Sequence, residues 1–513
     1  MLFNSGVFLK FFSAFLLLYY LGRNNLRFRN ILIVAASYLF YGWWDYRFLC
    51  LLVATSLLDY GIGLGLERWP DPKKRKSLVT LSIVANLSIL GFFKYFGFFV
   101  DSFRDLLGTM GLAFNLTTLE IVLPVGISFY TFQSFSYTID VYRGEIKAAR
   151  NPVNFLAFVS FFPQLVAGPI ERARHLLPQF EEPRRITISM IEEGIWLCLW
   201  GMFKKVVLAD NLAPLVELVY GRGPTSGLMV MLGTLAFGFQ IYCDFSGYSD
   251  IARGAARILG FDIMVNFHLP YTATNVREFW RKWHISLSTW LRDYLYISLG
   301  GNRDGTVRTC GNLMLTMLLG GLWHGAAWNF VFWGFWHGAG LVIHRLWSGR
   351  TSARGVMNQP TPAPRPGGEL RTSGVDTVPL PGRGTGVGRD SSRGPVWIDT
   401  LAFLRRVAGW FVTMSFVFYG WLLFRAGSSS EIVSLTRALF DFSSPVWIES
   451  YLVNLAVFIL PLVLVELWQH RSKNLLSPLT LPHWLRAFLQ GALLIAIILY
   501  WEKEKLPFIY FQF

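Results

Sequence analysis

The chain has 513 residues, 53% hydrophobic, 17% aromatic and 15% charged, with a formal net charge of +15. Soluble domains carry about 25% charged residues, so the composition excludes an ordinary globular protein and indicates a polytopic helical membrane protein. The positive surplus does not indicate nucleic acid. Arg23, Arg27 and Arg29, then Lys73, Lys74, Arg75 and Lys76, then Arg471 and Lys473 all lie between apolar runs. Basic residues so placed mark cytoplasmic loops beside anionic lipid headgroups.

In chain order, apolar runs of transmembrane character are predicted at 6–21, 30–44, 47–65, 78–99, 117–138, 189–209, 225–243, 402–424, 451–468 and 486–501. The stretch 310–346 holds one or two more; a helix needs roughly 17–25 apolar residues to cross a bilayer. The first run reads as a retained helix, because Lys10 lies within it and no small-x-small cleavage site follows Tyr20. The KKRK loop at 73–76 is placed in the cytoplasm.

Segment 276–295, VREFWRKWHISLSTWLRDYL, has a different pattern. At helical spacing Phe279, Trp280, Trp283, Leu287, Trp290, Leu291 and Tyr294 share one face, and Arg277, Arg281, His284, Ser288 and Arg292 another. One amphipathic helix is predicted, at the interface or walling a polar cavity. Residues 351–396 are rich in Gly, Pro, Arg and Ser and are expected to form a disordered loop. That loop separates a core block, 1–350, from C-terminal helices, 397–513, that complete the same domain. Cys50, Cys198, Cys243 and Cys310 are scattered without a CxxC pair, so neither a disulfide framework nor a metal site is expected.

Most of the eight histidines have bland readings. His470 and His483 flank a short loop and read as interfacial, His175 as a solvated loop residue, and His344, seven residues after His337, as a helix-end residue. His324 is different. It lies in GGLWHGAAWNF, far from any charged neighbour in sequence, and ionisable groups at membrane depth face a bundle interior or a cavity. The surrounding glycines and alanines admit close approach of another backbone or of a substrate. Burial disfavours a charged imidazole, and a neutral one can take a proton from a hydroxyl as general base. His284 is a second candidate on the polar stripe. Asp244 and Asp250 sit at the end of a span, where ion pairing with Arg253 is the favoured use over binding a cation. There is no G-x-S-x-G elbow, Walker loop or HExxH motif, so serine hydrolases, phosphate-driven pumps and zinc proteases lose support.

Several longer blocks carry a resemblance: LPVGISFYTFQSFSYTIDVYRG (123–144), FFPQLVAGPIERA (161–173), FQIYCDFSGYSDIARGAARILGFDIMVNFHLPY (239–271), EFWRKWHISLSTWLRDYLYISLGGNR (278–303), NLMLTMLLGGLWHGAAWNFVFWGFWHG (312–338) and the closing PFIYFQF. Together they resemble the membrane-bound O-acyltransferase family, in its bacterial branch that acetylates alginate. The resemblance implies an all-α ring of about 11–12 tilted transmembrane helices with interfacial and re-entrant segments, and a funnel on each face. It implies that His324 is the family's essential histidine and His284 the second polar position of the site. Asn329, Trp323, Ser288 and Arg281 are candidate oxyanion or substrate contacts. The implied reaction moves an acetyl group from a cytoplasmic-side thioester, acetyl-CoA or another, toward a secreted polysaccharide, with no tightly bound cofactor. The implied setting is the bacterial inner membrane, among lipids and periplasmic acetyltransferase partners. The loop 351–396 is an insertion relative to that pattern. Two alternatives stay open: D-alanyl or acetyl transfer to teichoic acid, cellulose or peptidoglycan, and a proton-coupled transporter. The latter predicts internal pseudo-repeats, and none is visible.

Overall fold

The computed structural model describes residues 1–112, 121–221, 226–356, 396–443, 448–501 and 508–509. Among these, every regular element is helical. The first half contains α1 (Gly6–Gly22), α2 (Leu26–Gly42), α3 (Leu49–Arg68), α4 (Pro72–Leu90), α5 (Phe96–Thr109), α6 (Ile127–Arg143) and α7 (Pro152–Ser160). Then come α8 (Ile188–Met202), α9 (Asp210–Tyr220), α10 (Gly227–Ile258), α11 (Val276–Lys282) and α12 (Ile285–Trp290). The remainder is α13 (Gly305–His324), α14 (Trp328–Val356), α15 (Val396–Arg425), α16 (Ser429–Ala438), α17 (Ile448–Ser472) and α18 (His483–Leu499). Among the described residues, five stretches are long and apolar enough to cross a membrane: Tyr46–Arg68, Pro72–Thr109, Gly227–Ile258, Thr400–Arg425 and Ile448–Ser472. The protein is a multi-pass, all-α membrane protein.

Local chemistry sets the helix starts. Ser5, Asn25, Thr187 and Ser226 precede α1, α2, α8 and α10, and each side chain accepts a hydrogen bond from an N–H in the first turn. This satisfies donors that a helix end otherwise leaves orphaned. Asp71 does the same for α4, with Pro72 in the first position, where its missing N–H costs nothing. Three wide π-helical turns, Gly91–Tyr95, Phe203–Ala209 and Leu291–Tyr296, interrupt the helices. The first joins α4 to α5, the second α8 to α9.

α8 and α10 pack with their backbones nearly touching. A Cβ added to Gly201 would lie 2.5 Å from the carbonyl oxygen of Gly247, and one on Gly254 would lie 2.6 Å from that of Gly194. Glycine pairs two turns apart on both helices thus make an antiparallel seam that tolerates no side chain.

Three predicted elements differ in the structure. The run expected at 117–138 becomes α6, which begins only at Ile127 because Gly126 turns the chain with φ +75°; residues 113–120 lie outside those described. The single amphipathic helix expected at 276–295 is broken between α11 and α12 at Trp283 and His284. The first residues of the loop predicted at 351–396 are helical, because α14 continues to Val356, and Val396 begins α15; residues 357–395 lie outside those described, as does most of PFIYFQF. From that last motif, the Ile509 N–H donates to the Asp244 carboxylate at 2.7 Å, and Phe508 packs on Tyr248.

Candidate functional site

His324 is the last residue of α13, and α13 and α14 form a tight hairpin around it. A Cβ on Gly321 would collide with the Phe330 carbonyl oxygen, and one on Gly334 would lie 2.5 Å from that of Met317. Of the two uses foreseen for the small neighbours, these two glycines serve close approach of a backbone. The imidazole is 4% exposed. The rings of Trp323, Trp333 and Phe424 stand edge-on to it, with centroids 5.1, 5.0 and 5.4 Å away. Such a cage excludes bulk water from the ring.

The end of α13 leaves carbonyls without intrahelical partners. The π-turn between α4 and α5 supplies them. The Tyr95 hydroxyl donates to Leu322 O at 2.8 Å, and Lys94 Nζ donates to Trp323 O at 2.6 Å and His324 O at 3.1 Å. A cation at this end also complements the helix dipole. Sequence reasoning missed Lys94. The signal was present, because it is a lone lysine within the predicted span 78–99 and the rule for intramembrane ionisable groups applies to it as to His324.

His284 occupies the break between α11 and α12 in a left-handed conformation, φ +43°, and is fully buried. Asn266 holds it there. The Ser286 backbone N–H and hydroxyl both donate to Asn266 Oδ1, at 3.3 and 2.8 Å, so that atom is an acceptor. It also lies 3.1 Å from His284 Nδ1, which therefore carries the proton. Nε2 is left as a free acceptor, and among the described residues nothing bonds to it. Asn266 Nδ2 in turn donates to Ser249 on α10 at 3.2 Å.

The structure brings the two histidines together: their ring centroids are 6.5 Å apart. Trp323 touches both, at 5.8 Å from His284 and 5.1 Å from His324. A cleft opens beside His324, lined by His324, Trp323, Lys94, Gly126, Ile127 and Phe129 among others. The remaining candidates separate. Arg277, Arg281 and Arg292 are exposed, because the break at Trp283–His284 splits the polar stripe and turns the imidazole inward alone. Ser288 is spent on the break itself, its hydroxyl donating to Trp283 O at 3.1 Å. Asn329 is buried, but its amide donates to Phe424 O at 3.1 Å.

Away from the cleft, His175 is part of an ionic clip rather than a solvated loop residue. Its ring nitrogens lie 2.9 Å from the Glu171 carboxylate and 3.6 Å from that of Asp262. Its hydrogen bonds to Asp262 and then Glu171 raise it to about 10, so it is cationic at neutral pH. Asp250 pairs with Lys204 at 2.7 Å and with Arg253 at 3.3 Å, and Asp244 pairs with Lys205 at 2.6 Å. Among the described residues no group of three His, Cys, Asp or Glu side chains is placed to hold a metal ion.

Comparison with known proteins follows the same ground. The sequence profile of the membrane-bound O-acyltransferase family matches residues 145–361, a range that holds His284, His324 and Asn266 but not Lys94. The chain is 50% identical over 348 residues to the probable alginate O-acetylase of Azotobacter vinelandii, covering 67% of this chain and 69% of that protein. It is 48% identical over 362 residues to the probable alginate O-acetylase of Pseudomonas aeruginosa, covering 70% and 68%. With the peptidoglycan O-acetyltransferase of Helicobacter pylori it shares 36% identity over 386 residues, covering 68% and 72%.

Proposed function

The chain belongs to the membrane-bound O-acyltransferase family, and from that premise we propose that it acetylates hydroxyls of a secreted, alginate-like polysaccharide. The donor is an acyl thioester, acetyl-CoA or another, supplied at the cytoplasmic side of a bacterial inner membrane. Periplasmic acetyltransferase partners receive or complete the transfer. The observation that carries this reading is the pair His284 and His324, 6.5 Å apart and walled by aromatic rings beside a cleft.

His324 is the general base. An acceptor hydroxyl attacks the acyl carbonyl carbon as the imidazole takes its proton; on collapse the C–S bond breaks and the proton passes to the leaving sulfur. The products are an ester and a thiol, and nothing is oxidised or reduced. Caging the base matters because water would otherwise compete for the thioester. His284, with Nδ1 committed to Asn266 and Nε2 unprotonated, supports the same proton from the second side of Trp323. The 48–50% identity to the two alginate O-acetylases favours an exopolysaccharide acceptor over peptidoglycan, whose acetyltransferase is a more distant relative at 36%.

The test is the acetate content of the secreted polymer in cells carrying His324→Ala. Loss of a general base removes roughly 10²–10⁴ in rate, so polymer acetate should fall below detection while membrane abundance of the protein stays near normal. His284→Ala should impair transfer less completely. Undiminished acetylation in His324→Ala sinks the base assignment, and acetate lost from peptidoglycan instead of the secreted polymer moves the acceptor.

A further inference from the structure

We propose that Lys94 stabilises the oxyanion that forms when the acyl carbonyl is attacked beside His324. The proposal rests on the reading of His324 as the base and adds the electrophilic half of the site.

An ammonium has three N–H donors. Two of them are committed, to Trp323 O and His324 O, and these bonds fix the cation relative to the imidazole by tying it to the histidine's own backbone. The third has no oxygen partner among the described residues, the Trp323 ring centroid lying 5.8 Å from Nζ, and it is the one open to a ligand. Lys94 lines the same cleft as His324 and is the one Lys or Arg among the described residues that do so. No carboxylate pairs with it among the described residues. An intramembrane cation without a counter-ion is costly, and a transient negative charge on the reacting carbonyl is the partner that would offset that cost. The start of α6 borders the cleft at Gly126, Ile127 and Ser128, adding the positive end of a helix dipole to the same space. Asn329 does not line this cleft, and one N–H of its amide is given to Phe424 O.

The chemistry balances within the transfer already described. As the hydroxyl oxygen bonds to the carbonyl carbon, the C=O π pair moves onto oxygen, opposite the Lys94 ammonium. As that pair returns, the C–S bond breaks and the proton held by His324 goes to sulfur. The charge Lys94 faces exists only between these two events, so it binds the transition state in preference to the ground state.

The test uses the full-length protein in native membranes, with Lys94→Gln, Lys94→Arg and His324→Ala. Turnover is read as thiol released from acetyl-CoA in the presence of deacetylated alginate, and ground-state binding as affinity for S-ethyl-CoA, a thioether without the reacting carbonyl. Lys94→Gln keeps a donor for the carbonyls and loses the charge. It should lower kcat by about 10²–10³, the effect of removing an oxyanion donor, with S-ethyl-CoA affinity unchanged. Lys94→Arg should stay within about tenfold of wild type, since the charge remains.

Wild-type kcat in Lys94→Gln overturns the proposal. So does a loss of kcat matched by an equal loss of thioether affinity, which makes Lys94 a helix cap and nothing more. If Lys94→Gln does not accumulate, Lys94→Arg decides: near-wild-type turnover supports the charge, whereas a folded, thioether-binding but inactive protein overturns it. Failure of both variants to accumulate also overturns it, in favour of a structural lysine. An active His324→Ala would remove the base and this proposal with it. An inactive His324→Ala beside a fully active Lys94→Gln removes this proposal alone.

Discussion

His284 is held in a backbone conformation that costs a non-glycine residue of order 1–3 kcal/mol, and Asn266 is what offsets it. One amide oxygen accepts from the Ser286 N–H and hydroxyl and faces His284 Nδ1, while the amide nitrogen reaches Ser249 on α10. Asn266→Ala leaves several buried polar groups without partners, each worth about 1–3 kcal/mol. We expect a lowered melting temperature in detergent and an acetylation rate reduced at least about tenfold, since the tautomer and ring plane of His284 are no longer fixed. The double variant Asn266→Ala, His284→Ala should acetylate no worse than His284→Ala alone, because both changes act through one side chain; additive losses in rate would give Asn266 an independent role. At this scale the sequence singled out His324 through the cost of an ionisable group at depth and His284 through its place on a polar stripe, and gave no sign of the groups that hold them. Asn266 sits in VNFHLPY, where nothing marks a hydrogen-bonding hub. Its partners are 17, 18 and 20 residues away along the chain.

Elements were legible where periodicity or apolar length governs, and misread where backbone geometry does. The helical pattern through 276–295 is real on both sides of the break, yet no glycine or proline announces that the chain turns at Trp283–His284. The turn is imposed by tertiary bonds, among them Ile285 N to Asn266 O at 2.8 Å. The α8–α10 seam was legible in principle, since Gly194 and Gly201, and Gly247 and Gly254, are each seven residues apart, two turns of helix. What sequence cannot supply is the pairing of one set against the other. A Cβ on Gly247 would lie 2.7 Å from Gly201 O and 3.1 Å from the Lys205 backbone nitrogen, neither of which can swing aside. Gly247→Val should therefore destabilise the protein by at least the ~1–3 kcal/mol typical of overpacking. It should also depress acetylation, because α10 carries Ser249 and Phe245, whose ring stands 4.6 Å from that of His284. Gly61→Val is the control: it sits on α3 with open space around its Cβ position, so its melting temperature should match wild type. Equal melting temperatures for the two variants would show that the seam is not close-packed.

For the molecule as a whole, basic residues at the ends of several helices, Arg29, Arg75 and Arg257 among them, gather on one face. Tyr19 at the end of α1 donates to Leu259 O at 2.6 Å, Arg29 to Glu182 O at 3.1 Å, and Arg75, in the first turn of α4 rather than in the loop expected at 73–76, to Tyr142 O at 2.8 Å. Arg257 pairs with Glu193 at 2.8 Å on the same side. The opposite face is joined by Gly227 N to Asp441 O at 2.7 Å and by Arg425 with Glu217 at 2.7 Å. On the proposed function, the excess of Lys and Arg on the first face predicts that this face is the cytoplasmic one. In a background with Cys50, Cys198, Cys243 and Cys310 replaced by serine, a cysteine at Asp441 should react with a membrane-impermeant maleimide in intact spheroplasts. One at Lys74 should react only after permeabilisation, and labelling of Lys74→Cys from outside would invert the molecule. The orientation bears on the chemistry. α6 ends at the basic face, where Arg143 donates to Ser298 at 3.1 Å, and α13 starts nearby at Gly305. Both connect that face to the cleft, which lies at the start of α6 and the end of α13. Twenty residues of α13 rise ~30 Å, about the thickness of the hydrocarbon core. On the proposed function, this holds His324 away from the face that would receive the thioester and toward the face from which a secreted polymer would approach. On the same reading, a donor charged at one end and acylated at the tip of a long thin arm fits that depth, and the polymer is expected to approach from the Asp441 side.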